Sequence, residues 1–298
     1  MQQDVSILIE QLKAGDYSAL ARIISLVENE HPSAAEILLS LRFNQNIPII
    51  GITGPPGAGK STLVNALAEE FSKEGKRVAI LAIDPSSPFN KGSLLGDRIR
   101  MNAQFNDPNI YIRSVASRGA LGGLSEKTIE ITDVIRAAPF DIILIETVGV
   151  GQSEIDIIGL ADQTIVVLVP ESGDEIQHVK SGLMEIADIY VINKADRDGA
   201  DIFASKLESM LKMKHLDIPV LKVIADRSVG VQNLLQLMES HSSFPNKVLK
   251  LNLLAEKAWR LIQRKRMKDI DKMALKQLLE EQSKNSFFNL YRFINEYD

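Results

Sequence analysis

The chain has 298 residues, 45% of them hydrophobic and 24% charged, which is enough apolar material for one large domain with extensions or for two small ones. Its net charge of −5 gives no overall field that draws nucleic acid or anionic lipid. The absence of cysteine excludes disulfides, thiolate nucleophiles and cysteine metal sites, and the histidines (His31, His178, His215, His241) lack the i, i+3 or i, i+4 pairing of a metal store.

The N-terminal stretch MQQDVSILIEQLKAGD carries acids and no basic leader segment, so it reads as neither a secretion signal nor a transit peptide and a cytoplasmic protein is expected. No apolar run approaches the roughly 20 residues that span a bilayer. Residues 4–44 read as helices from apolar spacings of three and four, interrupted at Gly15 and Asp16 as a helix end followed by a cap, with a further helix after Pro32. From residue 47 the pattern changes. Short runs rich in Val and Ile, at 47–52, 78–84, 110–115, 141–146, 164–169, 188–193 and 219–224, alternate with helical stretches. Runs apolar on both faces belong to strands covered on both sides. The expected fold is therefore α/β, a doubly wound, mostly parallel sheet. The expected division is a helical extension over 1–45, a nucleotide-binding domain over 46–243 and a C-terminal helical arm over 244–298, with the boundary near HSSFPNK.

GPPGAGKST (54–62) fits G-x-x-x-x-G-K-[ST] between a buried strand and a helix, the context that a phosphate-binding P-loop requires. Gly54, Pro56, Gly57, Ala58 and Gly59 let backbone N–H groups turn inward around phosphate oxygens, and the following helix N-terminus adds its dipole. Lys60 bridges the terminal phosphates as a point charge, Ser61 offers its hydroxyl to Mg²⁺, and Thr62 reaches an inner phosphate. Asp84 ends the next strand, where it binds metal through water or orients the attacking water. Asp97 is a second carboxylate for the metal side. Arg98 and Arg100 fit phosphate contacts and solvated charges equally well. SRGALGGLSEK (117–127) fits either a switch or a tight turn.

ETVGVGQSE begins with Glu146, placed where a carboxylate holds the Mg²⁺ shell, and continues to Gly149, a candidate hinge sensing the γ-phosphate. No glutamine follows Gly149 directly. Gln152 is the candidate for orienting water, and slow unaided hydrolysis is expected, since partner-supplied groups contribute about 10³–10⁵ in rate. PESGDEIQHVKSG (170–182) suits a segment that rearranges with nucleotide or a plain surface loop. NKAD (193–196) selects the base. Guanine presents N1–H and the 2-amino group side by side, and the Asp196 carboxylate accepts both, while adenine has no such pair. The stem of Lys194 covers the ring, and Asn193 ties the loop together. Ala225 is placed to contact the base, with Ile224 where a serine is usual. The cluster RLIQRKRMK makes the C-terminal arm basic on one side.

The ordered set GPPGAGKST, AIDPSSP, GSLLGDRIRM, SRGALGGLS, ETVGVGQSE, GDEIQ and NKAD resembles the MeaB/ArgK family of P-loop GTPases, of the SIMIBI class. The likeness runs from about residue 5 to about 240. It implies GTP/GDP and Mg²⁺ as ligands, with Lys60 and Ser61 on phosphate and metal, Asp84, Asp97 and Glu146 on the metal and catalytic side, and Asn193, Lys194 and Asp196 on guanine. It also implies a homodimer that gates adenosylcobalamin loading and protects an adenosylcobalamin-dependent methylmalonyl-CoA mutase or related acyl-CoA mutase, with 170–182 as the switch toward the mutase. A kinase of the older ArgK-type reading, a GTPase metallochaperone and a non-enzymatic nucleotide-binding scaffold are the alternatives. The first is opposed by N-K-x-D, and the second by the lack of cysteine and clustered histidine.

Overall fold

The computed structural model describes residues 2–44, 46–84, 107–116, 126–147, 157–173 and 187–240, and in the C-terminal part 251, 255, 258–259, 261–263, 265–267, 269–284 and 288–297. Asp97, Arg98, Arg100, Gly149, Gln152 and most of 117–127 and 170–182 lie outside the described residues. The chain divides into two compact units, Met1–Pro245 and Asn246–Asp298.

The first unit opens with α1 (Gln2–Lys13), α2 (Tyr17–Glu28) and α3 (Ala34–Ser40). Gly15 adopts a φ of +85° at the end of α1, and the Asp16 carboxylate accepts from the amides of Ser18 and Ala19, capping α2 as the sequence suggests. Next come β1 (Ile49–Thr53), α4 (Lys60–Lys73), β2 (Val78–Asp84), β3 (Ile110–Ala116), α5 (Glu126–Arg136), β4 (Ile142–Glu146) and β5 (Gln163–Leu168). The unit ends with β6 (Ile189–Ile192), α6 (Ala200–Met213), β7 (Val220–Lys222) and α7 (Val231–Ser240). The strands form one seven-stranded sheet in the order β3-β2-β4-β1-β5-β6-β7, and every pairing is parallel. Each expected strand is present, with bounds that agree to within two residues and, for 78–84, coincide.

The period of two along each strand splits the core into two layers. Ile143 and Ile145 of β4, with Ala79, Leu81 and Ile83 of β2, pack under α1, α2, α3 and α5. Ile142 and Leu144, with Val78 and Ile80, pack under α4 and α7. On the far side of β1, Val166, Leu168, Tyr190 and Ile192 meet α6. Burial of both strand faces explains why these runs carry almost no polar residues.

The helical prefix is fixed to the sheet by specific contacts. Tyr17 stacks on Phe140 at 5.9 Å and tilts against Tyr111 at 5.3 Å, and the Arg77 guanidinium lies 5.5 Å from the Tyr17 ring. Burial pushes the Tyr111 phenol up to about 12, against the opposing pull of Arg113, so the ring stays neutral throughout the physiological range. Arg113 on the edge strand β3 holds Glu28 of α2 at 2.6 Å, both largely shielded from water.

The second unit contains α8 (Lys272–Gln282), capped by Asp271, and α9 (Leu290–Glu296), capped by Asn289. Phe293 is buried with the rings of Phe288 and Tyr297 at 6.2 and 5.7 Å.

Gly51 lies mid-strand in β1, at the centre of the sheet. A Cβ there would sit 2.5 Å from Cγ1 of Ile157 and 2.9 Å from the Cβ of Ala161, so the missing side chain is what lets the turn Ile157–Gly159 press onto the sheet. Gly51→Ala is expected to destabilise the first unit by about 1–3 kcal/mol through overpacking. Denaturant unfolding measures this as a lowered midpoint, and an unchanged midpoint would show that the turn gives way freely.

Candidate functional site

In an all-parallel sheet the C-terminal ends of the strands share one edge, where ligands bind in open α/β folds. The central strand β1 ends there in Thr53 and runs into the glycine loop. Gly54 has a φ of +140°, and a Cβ on it would lie 2.1 Å from the carbonyl oxygen of Val167 on β5. Gly59 has a φ of +84°, and its Cβ would lie 2.3 Å from Nδ2 of Asn193. Both positions admit only glycine, through conformation and space together. Pro56 and Gly57 form the exposed crest of the loop, and Ala58 is buried beneath it.

Helix α4 starts at Lys60, whose side chain is almost wholly buried although charged. Its Nζ donates to the carbonyl oxygens of Gly54 at 2.9 Å and Pro55 at 3.0 Å, placing the ammonium within the arc of the loop. Ser61 Oγ donates to Glu146 Oε1 at 2.6 Å. Glu146 ends β4 between Ile52 of β1 and Ala82 of β2, so the register of three strands sets where its carboxylate stands. A hydroxyl and a buried carboxylate are hard oxygen donors, suited to Mg²⁺ and unsuited to soft metals. Thr62 follows in the first turn of α4 and is exposed. Asp84 ends β2 on the same edge, opposite Ala116 of β3.

The loop after β6 reaches the glycine loop from the other side. Asn193 is buried; its Nδ2 donates to Ala58 O at 2.9 Å, and its Oδ1 accepts from the amide of Ala225 at 3.1 Å. Lys194 adopts a φ of +56°, unusual for a side chain of its size, and its Nζ donates to Gly57 O at 2.7 Å. The Asp196 carboxylate lies 3.4 Å from the Arg227 guanidinium, in the turn Ala225–Arg227. The structure thus brings together Gly54, Pro56, Gly57, Ala58, Gly59, Lys60, Ser61, Glu146, Asn193, Lys194 and Ala225 around one loop, with Asp196 facing the turn that contains Ala225.

Two features here have no sequence signature. Arg227 faces Asp196, a pairing that depends on where β7 delivers its turn. Thr147 Oγ1 donates to Thr53 Oγ1 at 2.9 Å, joining residues far apart in sequence because β1 and β4 are neighbours.

A glycine loop linking the central strand of a parallel sheet to a helix that starts at a buried lysine defines a P-loop nucleoside triphosphatase. A family model described as "Methylmalonyl Co-A mutase-associated GTPase MeaB" matches residues 20–285, and the chain belongs to that family of GTPases. The "Putative GTPase PH0274" of Pyrococcus horikoshii is 46% identical over 250 residues, covering 81% of this chain and 79% of that protein. The "Methylmalonic aciduria type A homolog, mitochondrial" of Mus musculus is 36% identical over 291 residues, covering 88% of this chain and 70% of that protein. The crystal structure of a LAO/AO transport system kinase superposes with a TM-score of 0.70 at 24% identity, covering 99% of this chain and 97% of the other, a likeness of fold.

Asn193→Ala removes both side-chain bonds at once and leaves the Ala58 carbonyl and the Ala225 amide without them. A loss of about 2 kcal/mol is expected on denaturant unfolding in the absence of nucleotide. Lys194→Ala, on the exposed side of the same loop, should stay within about 0.5 kcal/mol.

Proposed function

We propose that this chain is a GTP-driven chaperone of an adenosylcobalamin-dependent methylmalonyl-CoA mutase or a related acyl-CoA mutase. It gates cofactor loading through GTP binding and hydrolysis and protects the mutase from inactivation, working as a homodimer in the cytoplasm. The observation that carries the partner is the family match over 20–285, whose description names mutase association. The mouse relative named for methylmalonic aciduria supports the same reading. Among the described residues no helix is long and apolar enough to cross a membrane.

In this reading the inward-turned amides of 54–60 take the phosphates, and the Lys60 ammonium moves from the carbonyls of Gly54 and Pro55 to the more strongly charged terminal phosphate oxygens. Ser61 and Glu146 would hold Mg²⁺, with Asp84 and Asp97 on the same side. The ion would supply positive charge that offsets the negative charge of the triphosphate. Gly149 senses the γ-phosphate. Asp196 accepts both guanine donors, Lys194 covers the ring, and Asn193 and Ala225 close the base pocket. The C-terminal arm, 244–298, joins the two copies. Hydrolysis without the partner is slow.

Two experiments test the two halves of this reading. Asp196→Asn replaces two acceptor oxygens by one acceptor and one donor, which no longer match guanine but match the N1–H and C2 carbonyl of xanthine. GTP affinity is expected to fall about 100-fold, on the order of two charge-assisted hydrogen bonds, while xanthosine triphosphate binds better than it does to the parent. Isothermal titration with Mg²⁺ measures both, and undiminished GTP affinity would remove Asp196 from the base pocket. For the partner, the immobilised chain loaded with GDP or with a non-hydrolysable GTP analogue is offered purified methylmalonyl-CoA mutase. Capture that differs between the two nucleotides is expected, and no capture in either state would sink the mutase assignment.

A further inference from the structure

Beneath the glycine loop lies a contact that none of the roles above uses. Thr53, the last residue of β1, and Thr147, the first after β4, are both fully buried. Their hydroxyls bond to each other at 2.9 Å, Thr147 donating, and the Thr147 amide donates to Ile52 O at 3.0 Å. Thr147 is therefore held to β1 twice, once by main chain and once by side chain. The surrounding layers are Ile, Leu, Val and Ala, where valine would fill the same volume without a hydroxyl to desolvate. Two threonines facing each other at this place give a direction-dependent bond where packing alone would accept sliding.

What that bond fixes follows from the neighbours. Thr53 immediately precedes Gly54, where the loop begins. Thr147 immediately follows Glu146, whose carboxylate accepts from Ser61 Oγ at 2.6 Å. The carboxylate is one residue from the tether, and the chain runs on from the tether to Gly149. We infer that Thr147 is a positioning residue for GTP hydrolysis: its hydroxyl bond to Thr53 locks the exit of β4 to the entry of the glycine loop, and so sets Glu146 against Ser61. The inference rests on the GTPase assignment of this site and adds to it a residue that acts on Glu146 through the bond to Thr53.

Nucleotide grip depends on the loop amides, Lys60 and the base loop, and none of these bonds to Thr147. Thr147→Val should therefore leave GDP affinity within about twofold of the parent, while single-turnover GTP hydrolysis falls about tenfold or more, as when a group orienting a metal-site residue is lost. It should also lower the melting temperature, since the Thr53 hydroxyl stays buried without its partner. The double variant Thr53→Val/Thr147→Val leaves no such group and should recover that temperature, while hydrolysis stays low. Thr147→Ser keeps the hydroxyl and should hydrolyse within about threefold of the parent. Hydrolysis recovering together with stability in the double variant, or undiminished in Thr147→Val, would reduce the pair to a packing feature and overturn the proposal. Failure of the underlying assignment would show separately, as a parent chain that turns over no GTP, and would take this proposal with it.

Discussion

The side-chain amide of Asn193 holds the site together. It has one carbonyl and one amino group, and it uses the amino group on the carbonyl of Ala58 and the carbonyl on the amide of Ala225. A single buried residue thereby joins the glycine loop after β1, the loop after β6 and the turn after β7. No other residue type fits without loss: aspartate has no donor, and a hydroxyl is too short to span both partners. The bonds are also mutually enforcing, because both partners are main-chain groups that would otherwise be buried unpaired. Gly59 completes the arrangement, since any side chain there would occupy the place of the Asn193 amide. The glycine is thus required by a neighbour more than a hundred residues away in sequence, as much as by its own backbone angle.

The sheet order makes that junction possible. β1 stands between β4 and β5, so the loop leaving it is flanked by Glu146 on one side and by the β5–β6 half on the other. With every strand parallel, the Glu146 carboxylate and the Asn193–Asp196 segment arrive on the same edge from opposite directions. Gly54, backed against the Val167 carbonyl of β5, holds the loop close to the second half, while the Ser61–Glu146 bond holds the start of α4 to the first. The two sides of the site therefore come from two halves of one sheet, with the Asn193 bonds tying the glycine loop to one half and the Ser61–Glu146 bond tying α4 to the other.

The sequence made the strands legible, because the central ones carry runs of Val and Ile too apolar for any exposed position. The local motifs were legible for a related reason: a glycine loop and N-K-x-D work through residues adjacent in sequence, so their spacing survives without knowledge of the fold. The pairings across the sheet were not. That Asp196 faces Arg227, that Thr147 meets Thr53, and that Lys194 reaches back to Gly57 all depend on which strands lie side by side, and the alternation of strands and helices permits many orders. Gly51 shows the same limit from the other side. In the sequence it is only a glycine in a strand, and its reason is Ile157, brought onto it by a turn whose position no local pattern announces.

The helical prefix answers a question that the sheet raises by itself. Ala79, Leu81, Ile83, Ile143 and Ile145 form an apolar face that α5 cannot cover alone, and α1–α3 close the remainder. At about 1.5–3 kcal/mol for each large apolar side chain, leaving several of them in water would cost an amount comparable with the whole net stability of a typical domain. The anchoring is correspondingly specific. Arg77 donates to the Gly15 carbonyl at 3.3 Å from beneath the Tyr17 ring, while Arg113 bonds Glu28 and Ser25 on the next helix face. Both arginines leave the β2–β3 side of the sheet, the side whose strand ends carry Asp84. The prefix is thus part of the same folded body as β2 and β3, and its loss would expose the face on which β2 and β4 are aligned.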